Sequence, residues 1–558
     1  MKITERGAWL LWATLAVVSL LYYLTSLGRR RRCSGSRRPL PPGPRPLPII
    51  GNALDLRGAN LHHALARLAR AHGDVMRLQL GPSGAAVVVV SSPAAAREAF
   101  ARHDRRHLAR VVPDAVRALG WADRSMIWLP SSDPRWKALR GVVAAHVVSP
   151  RSLASARGAR ERAVRGLVAH LRGRAGREVE VGRALYAAML NLVSSSFFSV
   201  DLVDMDSGAE SAHGIRHHVE EVANLMTRTN VSDLFPFLRP LDLQGLHRKA
   251  TVHLGEIFRI LDSIIDRRLA ENSSSSGDKR GDFLDALVNL MSAGEISRED
   301  ATTIGFDVLA AGSDTTAVTV EWAMALLLRN PDAMARARAE IGSALGRKES
   351  VAEPDAARLL YLQAVVKEAM RLRPVTPVLI PHKATEDGLE IGGYAVPRGS
   401  TVIFNAWAMM QDATAWERPE EFVPERFLSS GRAAGVDFKG KDYEFIPFGS
   451  GRRQCPGLPL AELVVPHVLA ALLHAFEWRL PDGVPAEQLD VSDRFTTANV
   501  MAVPLKAVPI VITKSQVMML NKHEASGGVL NHDMRISPVR NLGIANSRTG
   551  KPSSQVSR

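Results

Sequence analysis

A mainly helical domain with small β-sheets, carried behind an N-terminal transmembrane helix, is the fold class predicted by three observations. Helical periodicity runs through most of the chain, strand-like stretches are few and short, and one uncharged apolar run of bilayer length lies near the start. The 558 residues are 46% hydrophobic and 23% charged, a globular composition. The net charge of +14 sits at the ends: residues 1–48 hold nine Lys/Arg against one acid, and residues 515–558 hold six against two, which leaves +2 for 49–514. A nucleic-acid binder concentrates its basic excess on the folded domain, so the charge argues against nucleic acid as a partner. Two cysteines, Cys33 and Cys455, exclude a disulfide scaffold and a four-cysteine zinc site.

The apolar run is Ala8–Leu27, twenty residues without a charge, which as a helix spans about 30 Å, the thickness of a bilayer core. Trp9, Trp12, Tyr22 and Tyr23 lie towards its ends, where amphipathic rings favour the headgroup layer. Arg29–Arg32, Arg37 and Arg38 follow it, so the positive-inside bias keeps the bulk of the chain in the cytosol. A cleaved secretory signal would have a shorter core, its basic residues first and small residues at a cleavage site. Pro39–Pro48 carries six prolines in ten residues and reads as an extended, stiff spacer between anchor and globule.

From Ile49 to about Thr513 helical runs alternate with short strands. Helices are expected over Leu61–Ala71, Ala154–Arg172, Leu254–Ala270, Arg298–Arg329, Asp332–Leu345, Leu359–Leu372 and Leu458–Phe476, and strands over Ala86–Val90 and Gly399–Phe404. Asn272–Asp282 reads as a solvated loop by composition, and the polar tail 515–558 as disordered. No internal repeat and no second proline/glycine-rich boundary divides the body, so it reads as one domain.

Chemistry concentrates at Pro447-Phe448-Gly449-Ser450-Gly451-Arg452-Arg453-Gln454-Cys455-Pro456-Gly457, which runs straight into an apolar helix. Gly449 and Gly451 allow tight turns and close approach of a flat ligand. The Cys455 thiol lies just before a helix N-terminus, with Arg453 nearby, a setting that favours a thiolate able to ligate haem iron. Phe448-x-x-Gly451-x-Arg453-x-Cys455-x-Gly457, with Ala461 beyond it, resembles the haem-binding signature of the cytochrome P-450 superfamily.

Other patterns agree. Glu368-x-x-Arg371 puts an acid and a base on one helical face, and Pro424-Glu425-Arg426-Phe427 supplies a second arginine. The resemblance implies that Glu368, Arg371 and Arg426 form a structural network. Ala311-Gly312-Ser313-Asp314-Thr315-Thr316 places an acid, hydroxyls and a glycine inside the long helix, against local propensity. It is similar to the family's oxygen-activation motif, which implies that Gly312 makes room beside the haem and that Asp314 and Thr315 relay protons during dioxygen activation. Trp136, Arg140, Arg453 and His382 are implied as contacts of the haem propionates, and none of the 17 histidines is needed as an iron ligand.

The resemblance covers about residues 45–513. Ser125–Pro130, Asn230–Pro236, Leu241–Gly245 and Glu321–Met324 are similar to plant microsomal members of the geraniol-hydroxylase-like group, which oxidise mono- and diterpenoids. Leu243, where proline is usual, and Met410-Gln411-Asp412, where an arginine usually precedes the Asp, depart from that group's pattern. The resemblance implies a haem-thiolate monooxygenase with haem b, consuming O2 and NADPH through a flavoprotein reductase, since no G-x-G-x-x-G fingerprint lies between a strand and a helix. It further implies an endoplasmic reticulum protein, single-pass, with a lipophilic substrate drawn from the bilayer. The expected division is a lumenal 1–7, an anchor 8–27, a hinge 28–48, a haem-thiolate catalytic domain 49–514 and the tail. Family position gives pocket walls at Arg105–Ile127, Asn224–Leu238, Ile304–Thr315, Val375–Ile380 and Phe495–Ala502. A haem-thiolate isomerase or dehydratase would typically lack the Asp314-Thr315 pair, and a non-catalytic membrane haem protein would not need it.

Overall fold

A computed structural model describes residues 38–58, 60–81, 86–104, 109–205, 214–274, 280–346 and 348–512. The anchor at 8–27, the basic run before Arg38 and the tail at 515–558 lie outside the described residues. The helices that position the site are α1 (Leu61–His72), α2 (Pro134–His146), α3 (Val181–Phe198), α4 (Ile215–Thr227), α5 (Leu246–Ser274), α6 (Arg298–Arg329), α7 (Leu360–Leu372) and α8 (Leu458–Ala475). A five-stranded sheet sits beside them, built from β1 (Val75–Gln79), β2 (Ala86–Val90), β3 (Ala109–Arg110), β4 (His382–Lys383) and β5 (Thr401–Phe404) in the order β1-β2-β5-β4-β3. β2 and β5 run parallel with Val87 opposite Thr401, while β3 and β4 are antiparallel with Arg110 opposite His382.

Helix α6 is the axis of the domain. Its start is fixed by a capping box: the Ser297 side chain accepts from the Asp300 amide, and Asp300 reaches back to the Ser297 amide. From there the helix continues unbroken through Gly312. Its middle packs along α3, and a Cβ placed on Gly312 would stand 3.2 Å from Val193 of that helix. Gly312 therefore serves the approach of two helices as well as the space in front of it.

Helix α8 is long and apolar enough to cross a membrane, the one such helix among the described residues, yet most of its surface is buried inside the domain. It is a core helix. α3 is mostly apolar and buried, and α6 covers much of it.

Two expectations on organisation need correction. The proline-rich stretch is not a free spacer from Pro39 onward. The Pro39 carbonyl accepts from the Ala395 amide at 2.9 Å, the Pro42 carbonyl from the Arg77 amide at 2.7 Å, and a Cβ on Gly43 would fall 1.9 Å from the Arg77 carbonyl oxygen. Prolines lack an N–H but keep their carbonyls, so the strap docks as an acceptor edge on β1 and the packed domain begins before Ile49. The expected loop at Asn272–Asp282 is likewise shorter, because α5 runs to Ser274 and Asp282 is tied to the buried Arg268 at 2.7 and 2.8 Å.

Candidate active site

A cavity of about 320 Å³ lies between α6 and the cysteine loop. Gly449 and Gly451, both at φ 68°, turn the chain in the left-handed region. The Cys455 amide then donates to the Phe448 carbonyl at 3.0 Å, and Gly457 opens α8. This delivers the Cys455 sulfur to the cavity floor together with Phe448, Gly449, Gly457 and Ala461. Gly449 lines the cavity, where a Cβ would meet only Leu379, at 3.9 Å. A Cβ on Gly451 would stand 2.5 Å from an Asp104 carboxylate oxygen, so that glycine serves packing behind the loop and not the ligand side.

Burial pushes the Cys455 thiol up, while the Gly457 and Leu458 amides and the Arg140 guanidinium pull it down. Arg140 is thus the cation that acts on the sulfur. Arg453, expected in that role, turns instead to the carbonyls of Met126, Ile127 and Leu129. Because burial outweighs the amides, an anionic sulfur here calls for a bound metal cation.

The opposite wall is α6. Asp307, Val308, Ala311, Gly312, Thr315, Thr316 and Thr319 line the cavity, the four-residue spacing of 307, 311 and 315 keeping one helical face inward. The Thr315 hydroxyl donates to the Ala311 carbonyl at 2.7 Å, which leaves its oxygen lone pairs towards the cavity. Asp314 is not among the lining residues. It is half-buried on another side of α6, where it feels Tyr186 of α3 and Glu220 and Arg216 of α4. Burial, reinforced by Glu220, pushes its carboxyl up to about 6.

One edge of the cavity is cationic. Arg140 and Arg453 both lie over the Trp136 ring, 5.6 and 5.0 Å from its centroid, and Arg110 and His382 face each other across β3 and β4. Trp136 donates its indole N–H to the Met126 carbonyl at 3.1 Å, and Arg140 reaches the Gln454 carbonyl at 2.7 Å, so both hold the walls as well as facing the cavity. Arg110 donates to the Ile380 carbonyl and leaves Nε buried without a partner. Burial and the neighbouring Arg453 bring its guanidinium down to about 9, and burial and Arg140 bring Arg453 down to about 10. Among the lining residues the sole carboxylate is Asp307. A sulfur donor in the floor, aliphatic walls from Val143, Val308, Leu379 and Leu460, and surplus guanidiniums at one edge fit a flat, apolar ring carrying two carboxylates. Haem has that chemistry, so the residues present fit it.

Behind the floor, Glu368 and Arg371 of α7 are fully buried and joined at 2.7 and 2.9 Å, and Arg426 reaches the same carboxylate at 3.1 Å. The guanidiniums go on to the carbonyls of Met410, Glu421, Glu417 and Arg418, which ties α7 to the chain leading into the cysteine loop.

Of the expected walls, the segments ending at Ile127, Thr315 and Ile380 contribute, but Asn224–Leu238 and Phe495–Ala502 do not line the cavity. The second stands behind it: the Asn499 amide donates to the Val375 carbonyl, and Val375 is what faces inward. Arg110 and Asp307 were not singled out from the sequence, because their hydrogen-bond partners lie far away along the chain and no local pattern marks them. A second cavity of about 650 Å³, bordered by Arg174, Arg183, Glu178 and Glu220, shares no residue with the first.

Comparison with known proteins places the chain in a family. The family model described as Cytochrome P450 matches residues 41–501. The chain is 63% identical over 510 residues to "Cytochrome P450 76M5" of Oryza sativa subsp. japonica, covering 91% of this chain and 99% of that one. It is 56% identical over 504 residues to "Ent-cassadiene C11-alpha-hydroxylase 1" of the same plant, covering 90% and 99%. With "Carnosic acid synthase" of Rosmarinus officinalis it shares 42% over 478 residues, covering 84% and 93%.

Proposed function

From the premise that this chain belongs to the cytochrome P450 family, we propose that it is a diterpenoid hydroxylase with Cys455 as the ligand to haem iron. Monooxygenase chemistry with thiolate-ligated haem, O2 and NADPH-derived electrons follows from the family. The observation that carries the more specific reading is a single apolar cavity shared by the Cys455 sulfur and the inner face of α6. The similarity to a named ent-cassadiene hydroxylase supports the substrate class.

When bound, haem supplies the activation of dioxygen and the insertion of one oxygen atom into a C–H bond. The chain's own residues bind and orient. Arg110, Arg140, Arg453 and His382, with Trp136 beneath two of the guanidiniums, hold the propionate edge. Phe448 and Gly449 shape the floor, with Gly451 packing behind the loop, and Ala311 and Gly312 keep the opposite wall low enough for a guest. Thr315 accepts a hydrogen bond from the cavity as it stands, and it donates one there only by releasing the Ala311 carbonyl. Asp314, its neighbour in sequence, is the acid that replenishes the proton from the α3 and α4 side. Glu368, Arg371 and Arg426 brace the floor. A lipophilic guest suits walls made of Val, Leu, Ile and Met side chains.

Electrons arrive from a separate NADPH-dependent flavoprotein reductase on the same membrane. Family members of this kind are usually bound to the endoplasmic reticulum, and we assign the single-pass anchor to Ala8–Leu27 with the catalytic domain cytosolic. The test begins with carbon monoxide on reduced microsomes. Wild type gives the absorbance band of thiolate ligation and Cys455→Ser loses it, and an unchanged spectrum in the variant overturns the ligand assignment. Supplying ent-cassadiene and related diterpenes with reductase and NADPH then yields hydroxylated product, and turnover of none of them overturns the substrate class.

A further inference from the structure

Asp307 is a carboxylate at the cavity wall whose oxygens point away from any guest. It is 2% exposed. The Ser125 hydroxyl reaches its two oxygens at 2.9 and 2.7 Å, the Met126 amide donates at 2.9 Å and the Trp121 indole N–H at 3.1 Å. The Ile127 amide also bonds it and donates to the Ser125 hydroxyl at 3.0 Å. Every one of these donors belongs to residues 121–127, a short 3-10 turn over Trp121–Asp123 and the irregular residues after it, which follow the left-handed pair Leu119 and Gly120. An irregular segment with its amides turned inwards needs an acceptor from elsewhere, and α6 provides it.

That segment touches both ends of the site. Met126 and Ile127 line the cavity, and their carbonyls are the ones taken by Trp136 and Arg453 at the cationic edge. Asp307 stands one and two turns before Ala311 and Thr315 on the same helical face. The carboxylate therefore joins the side of α6 where oxidation occurs to the wall opposite, through hydrogen bonds that a charged acceptor makes about twice as strong as a neutral one.

We propose that Asp307 is a positioning residue for the substrate wall: by holding residues 121–127 against α6 it fixes Met126 and Ile127 over the cavity and so sets which carbon of the guest is presented for hydroxylation. This rests on the monooxygenase reading given above. With its acceptors spent on the segment, Asp307 offers no free charge to the guest, so the wall selects by shape.

The experiment uses the full-length microsomal protein with Asp307→Asn and Ser125→Ala. Three readouts are taken: amide hydrogen exchange across 121–129, spectral titration with imidazole and with 4-phenylimidazole, and the regioisomer ratio from ent-cassadiene. Asp307→Asn turns an amide NH2 towards donors. Exchange at Met126 and Ile127 then rises about tenfold or more, as loss of bonds to a charged acceptor requires. Affinity for 4-phenylimidazole shifts by about fivefold or more while imidazole, too small to meet the wall, is held within about twofold. The product ratio changes, and Ser125→Ala gives smaller shifts in the same direction. Faster exchange with unchanged phenylimidazole affinity and unchanged product ratio overturns the proposal, because the contact is then structural only. Unchanged exchange overturns it as well. Should Asp307→Asn fail to retain haem, Ser125→Ala alone decides by the same criteria. Should no diterpene be turned over, exchange and phenylimidazole binding still decide, which separates this inference from the substrate assignment.

Discussion

Replacing Arg110 by methionine is expected to move two stabilities in opposite directions. Its guanidinium is held on the Ile380 carbonyl, its Nε has no partner, and Arg453 is close enough to help bring it down to about 9. An anion at this edge offsets a cost that the protein side chains do not. Truncating one partner of a buried, hydrogen-bonded charge pair costs about 2–5 kcal/mol, so haem affinity falls roughly 30- to 5000-fold. In the haem-free protein the same substitution removes a poorly partnered cation for an apolar chain of similar length, which stabilises by about 1–4 kcal/mol. Haem transfer to excess apomyoglobin reads the first effect, and urea unfolding of the haem-free protein followed by tryptophan fluorescence reads the second. Transfer at the wild-type rate together with a lowered urea midpoint would refute the assignment of this edge to a bound dianion.

The other predictions concern the relay, the brace, the strap and pH. Thr315→Ala removes the hydroxyl that faces the cavity, so NADPH consumption continues while product per NADPH drops about tenfold or more; a full yield sinks the relay. Glu368→Gln leaves Arg371 and Arg426 buried without a full counter-charge, at about 3–5 kcal/mol, read as a lower urea midpoint and less carbon-monoxide-competent protein. Gly43→Ala forces a methyl onto the Arg77 carbonyl and lowers the midpoint by about 1–3 kcal/mol unless the strap lets go. Asp314 has its carboxyl raised to about 6, so the fold binds a proton that the unfolded chain has lost between about pH 4 and 6, and stability falls as pH rises through that window. Asp314→Asn is therefore more stable than wild type at pH 7, by about 3 kcal/mol at most, and the advantage disappears by pH 4. Thermal denaturation at both pH values checks it.

Much of this architecture could be read from the sequence where the signal is local. The loop around Cys455, the Glu368/Arg371 spacing and the Arg298–Arg329 helix with Ser297 and Asp300 at its head all carry their physics within a few residues. α3 was missed because its apolar residues run round most of its circumference and its polar ones are partly buried with them, which leaves a weak amphipathic period to detect. Arg110 and Asp307 were missed for a different reason: a buried charge is defined by its partners, and those come from α6, β4 and the 121–127 segment, brought together only by folding. The 272–282 loop was overextended because serines at a helix end read as coil, although Asp282 is the cap of the next helix and the partner of Arg268.

The docked prolines bear on how the enzyme rides its membrane. With Pro39 and Pro42 bonded to the body and Arg38 paired with Glu390 at 3.5 Å, only residues 28–37 separate the domain from the anchor proposed at Ala8–Leu27. Fully extended, such a length reaches at most about 40 Å. On that proposal the globule would be moored on a short line, with little freedom to roll over the lipid surface. Its cavity keeps a limited range of attitudes towards both the bilayer, where a terpenoid dissolves, and the neighbouring flavoprotein. Inserting flexible residues into that line would lengthen the search for each partner without altering a single atom of the pocket.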